Sequence, residues 1–307
     1  MKNIAIIDLG SNLTKLVVVS GELPLNVIHR SVYDTKTLKS APTGYFNDIS
    51  VKRIEEDIEK ILSVAKGLDC DTHLGIATSA FRTRKNGQEV ITGINKKFGI
   101  NIQIIEGERE AHLISKGALA SVTPKQFPVM VMDISGGSTE FIIGTETEIL
   151  WKHSFDFGST ALTRDLYISD PLTIANAMDL DQALVHSLPS LFEAFQKHKP
   201  TSFIGTTGAF ESFAQLIENA KGNKAPVQSG YEYSLPELNT ITVKLFESTS
   251  KERTKMDGMN LLRVGTIGIA ALILNHVLAS SNFDNYYLSL GDVKEGLALE
   301  FLESNKT

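Results

Sequence analysis

Two short stretches place the same residue types in the same order. "DLGSN" runs from Asp8 to Asn12, and "DISGGSTE" from Asp133 to Glu140. Each has a carboxylate at the end of an apolar run, then glycine and hydroxyl residues, then another apolar run. Glycine lets backbone N–H groups approach an anion without a Cβ in the way, and successive N–H groups form a concave anion nest. Ser11, Asn12 and Ser138 add side-chain donors beside Gly10, Gly136 and Gly137. A carboxylate repels phosphate, but it can hold Mg²⁺ or its waters, which then bridge to phosphate oxygens. Two such loops facing one another would clamp a phosphate chain. The plainer reading of each loop is an Asx-type hairpin turn; the recurrence of the pattern favours the anion site.

A third stretch, "FIGTTGAFE", puts Thr206, Thr207 and Gly208 where a helix begins. Free N–H groups and partial positive charge at a helix start suit an anion, although a capped strand-to-helix turn would look the same. Lys15 follows the first loop and points either at its contents or at solvent. Glu110 lies in the first turn of a predicted helix beside Glu106 and Glu108, where acidic residues are explained by the helix dipole alone. From spacing alone Arg82, in "TSAFRTR", is an ordinary solvated helix residue. The seven histidines show no metal spacing, and HExxH is absent.

The elements that carry these residues are legible from periodicity. Residues 4–7 and 16–19 read as the two buried strands of a hairpin, with a further strand near 25–29. Val51, Ile54, Ile58, Ile61, Leu62 and Ala65 form one helical stripe, with Ser50 as the predicted N-cap and Gly67 at the stop. A strand "HLGIAT", a helical stretch "SAFRTRKNGQEVITGINKKFG", a strand "NIQIIE" and the helix "GEREAHLISKGALASV" follow. "PVMVMDISGGSTEFIIG" then restarts the order with two strands around a glycine turn. A largely helical region covers about 159–197, and helical patterns run on through "NLLRVGTIGIAALILNHVLA". The strand "NYYLSL" and the helix "DVKEGLALEFLES" close the chain. The repetition predicts two similar α/β halves, 1–124 and 125–307, divided at the proline-punctuated "TPKQFP", with the helix at about 292–307 packing back on the first half.

With 307 residues, 42% hydrophobic and 21% charged, the chain has globular composition. A net charge of −6 and a pI near 5.7 argue against a broad nucleic-acid or anionic-membrane surface. No apolar run is long enough to span a bilayer and no leader pattern follows Met1, so a cytoplasmic location is expected. The one cysteine, Cys70, excludes a disulfide framework and a thiolate metal cluster.

"DLGSN", "TSAFR", "EGEREA", "DISGGSTE", "GTTG" and "KEGLALE" occur in this order between residues 4 and about 302. Together they resemble the exopolyphosphatase / guanosine pentaphosphate phosphohydrolase (Ppx/GppA) family, in its short two-domain form. The resemblance implies two ribonuclease-H-like domains of the actin-like ATPase and sugar-kinase superfamily, with the active site in an inter-domain cleft. It implies release of orthophosphate from inorganic polyphosphate or guanosine pentaphosphate, with Mg²⁺ and a monovalent cation as cofactors, and a homodimer. On it, Glu110 is the general base. Asp133 and Glu140 are metal carboxylates, with Asp8 acting on metal through water. Gly10, Ser11, Asn12, Gly136, Gly137 and Ser138 cradle phosphate, Arg82 binds it, and Lys15, Thr206 and Gly208 are further candidates. Four residues depart from the pattern: Leu13, Arg109, His112 and Ser135. They bear on substrate preference and rate. Two other readings stand beside this one: an ATP-dependent small-molecule kinase of the same superfamily, and a non-catalytic sensor of polyphosphate or an alarmone.

Overall fold

Apolar runs three to four residues either side of each glycine turn are the right length to be buried strands. In the computed structural model, which describes residues 2–36, 44–166 and 168–305 (Thr207 without its side chain), they are. The elements in chain order begin with β1 (Asn3–Leu9), β2 (Thr14–Val19), β3 (Val27–Tyr33), α1 (Asp48–Gly67), β4 (Cys70–Ala77) and α2 (Ser79–Arg82). Then come α3 (Gly87–Phe98), β5 (Ile102–Ile104) and α4 (Gly107–Ser121). The order restarts with β6 (Val129–Ile134), β7 (Thr139–Gly144) and β8 (Ile149–Phe155), then α5 (Ser159–Asp165), α6 (Ile174–Ser187) and α7 (Pro189–His198). It finishes with β9 (Ser202–Thr206), α8 (Thr207–Ala220), α9 (Leu235–Glu247), α10 (Ser250–Arg253), α11 (Ile267–Ala279), β10 (Asn285–Ser289) and α12 (Val293–Ser304).

The chain divides into two units, Met1–Gly117 with Val293–Thr307, and Ala118–Asp292. One crossing point between these units lies inside α4. The first unit holds a five-stranded sheet in the order β3-β2-β1-β4-β5, the second one in the order β10-β9-β6-β7-β8. Counted from each unit's own first strand, both orders are 3-2-1-4-5. In each unit the first three strands are antiparallel neighbours, and the fourth and fifth run parallel to the first. This is the ribonuclease-H-like arrangement expected from the sequence, twice.

In the first unit Ile54, Ile58, Ile61 and Ala65 of α1 and Ile91 and Ile94 of α3 cover one face of the sheet. Ala298 and Leu302 of α12 cover Ile4, Ile6, Val17 and Val19 on the other. Residues 4–7 and 16–19 alternate between these two clusters, which is why they read as unbroken apolar runs rather than as alternation. The second unit has one large core, in which Phe203, Phe210, Phe213 and Phe141 are fully buried.

Three local expectations change. The cap of α1 is Asn47, whose Oδ1 accepts from the Ser50 amide at 2.9 Å and from its hydroxyl at 2.8 Å, so Ser50 sits in the first turn. The stretch after "HLGIAT" is two helices. A turn at 83–86 lets Gly87 pack on Phe81, where a Cβ would lie 2.1 Å from the Phe81 carbonyl oxygen. The second sheet also has a third strand, β8, on residues 149–155. Among the described residues no helix is long and apolar enough to cross a membrane.

Candidate functional site

In each unit the predicted residues leave the sheet at the carboxyl ends of its parallel strands, where ligands bind in open α/β sheets. Leu9, Ala77 and Ile104 form a single row across β1, β4 and β5. From that row start the first glycine turn, α2 with Arg82, and α4 with Glu110. In the second unit the second glycine turn follows β6 and "GTTG" follows β9, its parallel neighbour.

The first turn is closed by Gly10 N–H donating to Leu13 C=O at 3.0 Å, and a Cβ on Gly10 would stand 2.9 Å from that oxygen. Lys36 N–H holds the Asn12 carbonyl at 2.7 Å from outside. Directly across the ladder from Asp8 is Lys15, whose Nζ lies 3.7 Å from Asp8 Oδ2. Asp8 and Ser11 are both buried.

The second turn is closed in the same way, by Ser135 N–H donating to Ser138 C=O at 3.0 Å. Ser135 thus occupies the position of Gly10, at the closure and not among the central residues of the turn. The carbonyls of the loop are turned towards α5. Ser159 N–H donates to Ser135 C=O at 3.0 Å, and the Thr160 and Ala161 amides both donate to Gly136 C=O at 2.9 Å. Gly158 makes this docking possible, since a Cβ there would come within 2.5–2.7 Å of the Ser135, Gly136 and Gly137 backbone. With the Ser135, Gly136 and Ser138 carbonyls taken up, the amides of Gly136, Gly137 and Ser138 donate to no backbone carbonyl among the described residues. The Ser138 hydroxyl is fully buried and also has no partner. Buried donors without acceptors are rare, and a concave set of amides and a hydroxyl such as this suits an anion.

Asp133 faces Glu140 directly across β6 and β7. Side chains opposite one another in an antiparallel pair share a face, so two carboxylates stand side by side, 6% and 0% exposed. Ser154 Oγ donates to Glu140 Oε1 at 2.7 Å. Like charges so placed require a proton or a cation to settle them. No cluster of three or more His, Cys, Asp or Glu that could hold a metal occurs among the described residues. Two carboxylates with the remaining positions left to water and phosphate is the donor set Mg²⁺ commonly takes, so these residues fit that ion.

Thr206 ends β9 without a side-chain cap bond to α8, and its hydroxyl is buried and without a partner among the described residues. Gly208 has φ 41 and ψ −98, a conformation closed to most side chains, and a Cβ there would fall 2.2 Å from Nη2 of Arg263. The Thr207 side chain lies outside the described part. Arg263 was not anticipated from the sequence. Burial pulls its guanidinium below the ordinary arginine value, and the charges of Asp133 and Glu211 push it back up. Its signal was faint: Arg263 is the one charged residue between Asp257 and His276, inside a run that reads as core helix.

In the first unit Arg82 is not solvated. Its Nη1 donates to Glu110 Oε2 at 2.6 Å and to the Ile105 carbonyl at 2.8 Å, while Nη2 is buried without a partner among the described residues. Glu110 is only 4% exposed. A buried carboxylate gripped by an arginine with an N–H to spare is more than a dipole-stabilising residue of a first turn. Two cavities of the second unit, about 750 Å³ among α8, α9 and α10 and about 390 Å³ between α6 and α11, include none of these residues.

A model of the Ppx/GppA phosphatase family matches residues 18–305. The chain is similar to exopolyphosphatase 1 of Mycobacterium leprae, at 23% identity over 310 residues covering 98% of this chain and 90% of that protein. Among solved structures it is similar to an exopolyphosphatase from Cytophaga hutchinsonii, with TM-score 0.93 and 28% identity over 99% of this chain and 98% of that one. It also superposes on a Ppx/GppA family member of Aquifex aeolicus, with TM-score 0.82 and 22% identity over 100% and 99% of the two chains. With the doubled 3-2-1-4-5 sheets, these likenesses make the fold the actin-like one.

Proposed function

The chain belongs to the Ppx/GppA phosphatase family, and on that premise we propose that it hydrolyses the terminal phosphoanhydride bond of inorganic polyphosphate, releasing orthophosphate. The observation that carries the proposal is the second glycine turn. Amides with no backbone acceptor and a buried Ser138 hydroxyl with no partner among the described residues lie two to three residues from a pair of opposed carboxylates. Such a site suits an anion that arrives with a divalent cation. The relatives named as exopolyphosphatases support the choice of polyphosphate.

Phosphoryl transfer asks the protein mainly for positioning and charge neutralisation. In this reading the amides of Gly136 and Gly137 and the Ser138 hydroxyl donate to phosphate oxygens. Within the first unit Gly10, Ser11 and Asn12, and within the second Thr206 and Gly208, are further donors suited to phosphate. Asp133 and Glu140 would hold Mg²⁺, whose chemistry there is neutralisation of charge on phosphate oxygens. Arg82 orients Glu110 through Oε2 and offers its second nitrogen to phosphate. Glu110 accepts a proton from the attacking water. The new P–O bond forms as the bridging P–O bond breaks, and the shortened chain keeps that electron pair.

The test is phosphate release from long polyphosphate, short polyphosphate and guanosine pentaphosphate side by side, with and without Mg²⁺. Guanosine pentaphosphate ends in the same anhydride and belongs in the assay as a second substrate. Glu110→Gln is expected to lower kcat by roughly 100-fold or more with binding retained; near-normal turnover would remove Glu110 as the base. ADP formed from ATP when sugars or acids are supplied would point instead to a kinase. Calorimetric binding without release would point to a sensor.

A further inference from the structure

Two residues flanking Glu110 have no part in the chemistry above, and both reach one carboxylate. Arg109 embraces Glu300 with both terminal nitrogens, Nη1 to Oε1 at 2.8 Å and Nη2 to Oε2. His112 Nε2 lies 3.0 Å from the same Oε1. One turn further along α4, Lys116 pairs with Glu303. The two helices also meet backbone to backbone, since a Cβ on Gly296 would stand 1.9 Å from the Leu113 carbonyl oxygen.

Arg109, His112, Leu113 and Lys116 follow the i, i+3, i+4, i+7 spacing of one helix face. Glu110 is one residue, roughly 100°, round from Arg109, and that turn carries it to Arg82. The face docked on α12 and the direction of the Glu110 carboxylate are therefore fixed together. A rotation of α4 that loosened the Arg109 fork would carry Glu110 with it.

We infer that Glu300 is a positioning residue for the proposed hydrolysis: through Arg109 and His112 it sets the rotation of α4, and so the placement of the Glu110 carboxylate against Arg82. The inference rests on the hydrolase reading, because Glu110's task there is what gives its placement a consequence. A bidentate arginine–carboxylate pair restricts geometry more than a lysine pair does. The fork is also partly exposed, with Arg109 at 43% and Glu300 at 24%, so its share of global stability is small. Docking of α12 is held by Gly296 and by the buried Ala298 and Leu302.

The experiment compares Glu300→Gln with Glu303→Gln, which cuts a contact of the same helix pair that does not bracket Glu110. Glu300→Gln is expected to lower kcat on long polyphosphate by about 10-fold or more, with KM within about two-fold and little change in Tm. Glu303→Gln is expected to leave kcat within about two-fold of the parent. Amide hydrogen exchange across residues 108–111 should quicken in Glu300→Gln and not in Glu303→Gln. An unchanged kcat in Glu300→Gln, or equal losses in both variants, would overturn the positioning role. If the parent releases no phosphate, the hydrolase reading falls on that result alone, and the exchange comparison still decides whether Glu300 sets the first turn of α4.

Discussion

Both hairpin turns set an aspartate opposite the residue seven positions on, and both close with an amide-to-carbonyl bond of 3.0 Å across four residues. They part at the opposing residue. Asp8 meets Lys15, a charge of opposite sign 3.7 Å away, whereas Asp133 meets Glu140, a second buried carboxylate. The backbone closure is the same in both units and the opposing charge differs. A carboxylate with a lysine beside it is neutralised from within the protein. A carboxylate beside a carboxylate, with the Asp133 charge also acting on Arg263, is a pair that a divalent cation would suit. On this account the divalent ion belongs to the second turn, and the first acts through its amides.

Exchanging the opposing residues breaks the comparison most severely. Glu140→Lys would make the second turn resemble the first, and phosphate release should fall by about 1000-fold, since the charge that draws the metal is reversed. Asp8→Asn, by contrast, should cost no more than about 10-fold in the same assay. The reverse exchange, Lys15→Glu, would build a carboxylate pair into the first turn. It should destabilise the protein by about 1–3 kcal/mol without divalent ions, and added Mg²⁺ should recover part of that in a thermal melt. A melt indifferent to Mg²⁺ would show that two opposed carboxylates in this hairpin do not by themselves attract a cation.

The smaller effects are steric. Gly158→Ala drives a Cβ into three backbone atoms of the second turn and should lower stability by about 1–3 kcal/mol in denaturant melts. Gly10→Ala meets one backbone atom, the Leu13 carbonyl oxygen at 2.9 Å, which has to shift, and should cost about 1 kcal/mol, less than Gly158→Ala. Equal costs would mean that the second turn is not held by α5 as closely as its hydrogen bonds imply.

What could be read in advance follows from the range of the forces involved. The glycine turns, the strands around them and the stripe of α1 are local, and period and punctuation gave them away. The pairing of Asp133 with Glu140 was implicit in a seven-residue spacing across a tight turn. Asn47 was missed as a cap because Ser50 sits as close to the apolar stripe and is as good a capping type. The break between α2 and α3 depends on Gly87 meeting Phe81, and on Asn86 bonding to both the amide and the carbonyl of Phe46, contacts invisible to local period. β8 was passed over because "ILWKHSF" carries lysine and histidine, which suit a half-exposed edge strand. Arg263 was hidden most completely. Its role depends on Gly208 and Asp133, far off in sequence, while its neighbours read as ordinary core.

The account is tested most directly by titrating Mn²⁺, as a stand-in for Mg²⁺, into the protein without polyphosphate and following free ion by electron paramagnetic resonance. The parent and Asp8→Asn should bind one ion with similar affinity, and Glu140→Gln should bind it at least about 10-fold more weakly. Undiminished binding in Glu140→Gln, together with its loss in Asp8→Asn, would contradict the assignment of the metal to the second turn.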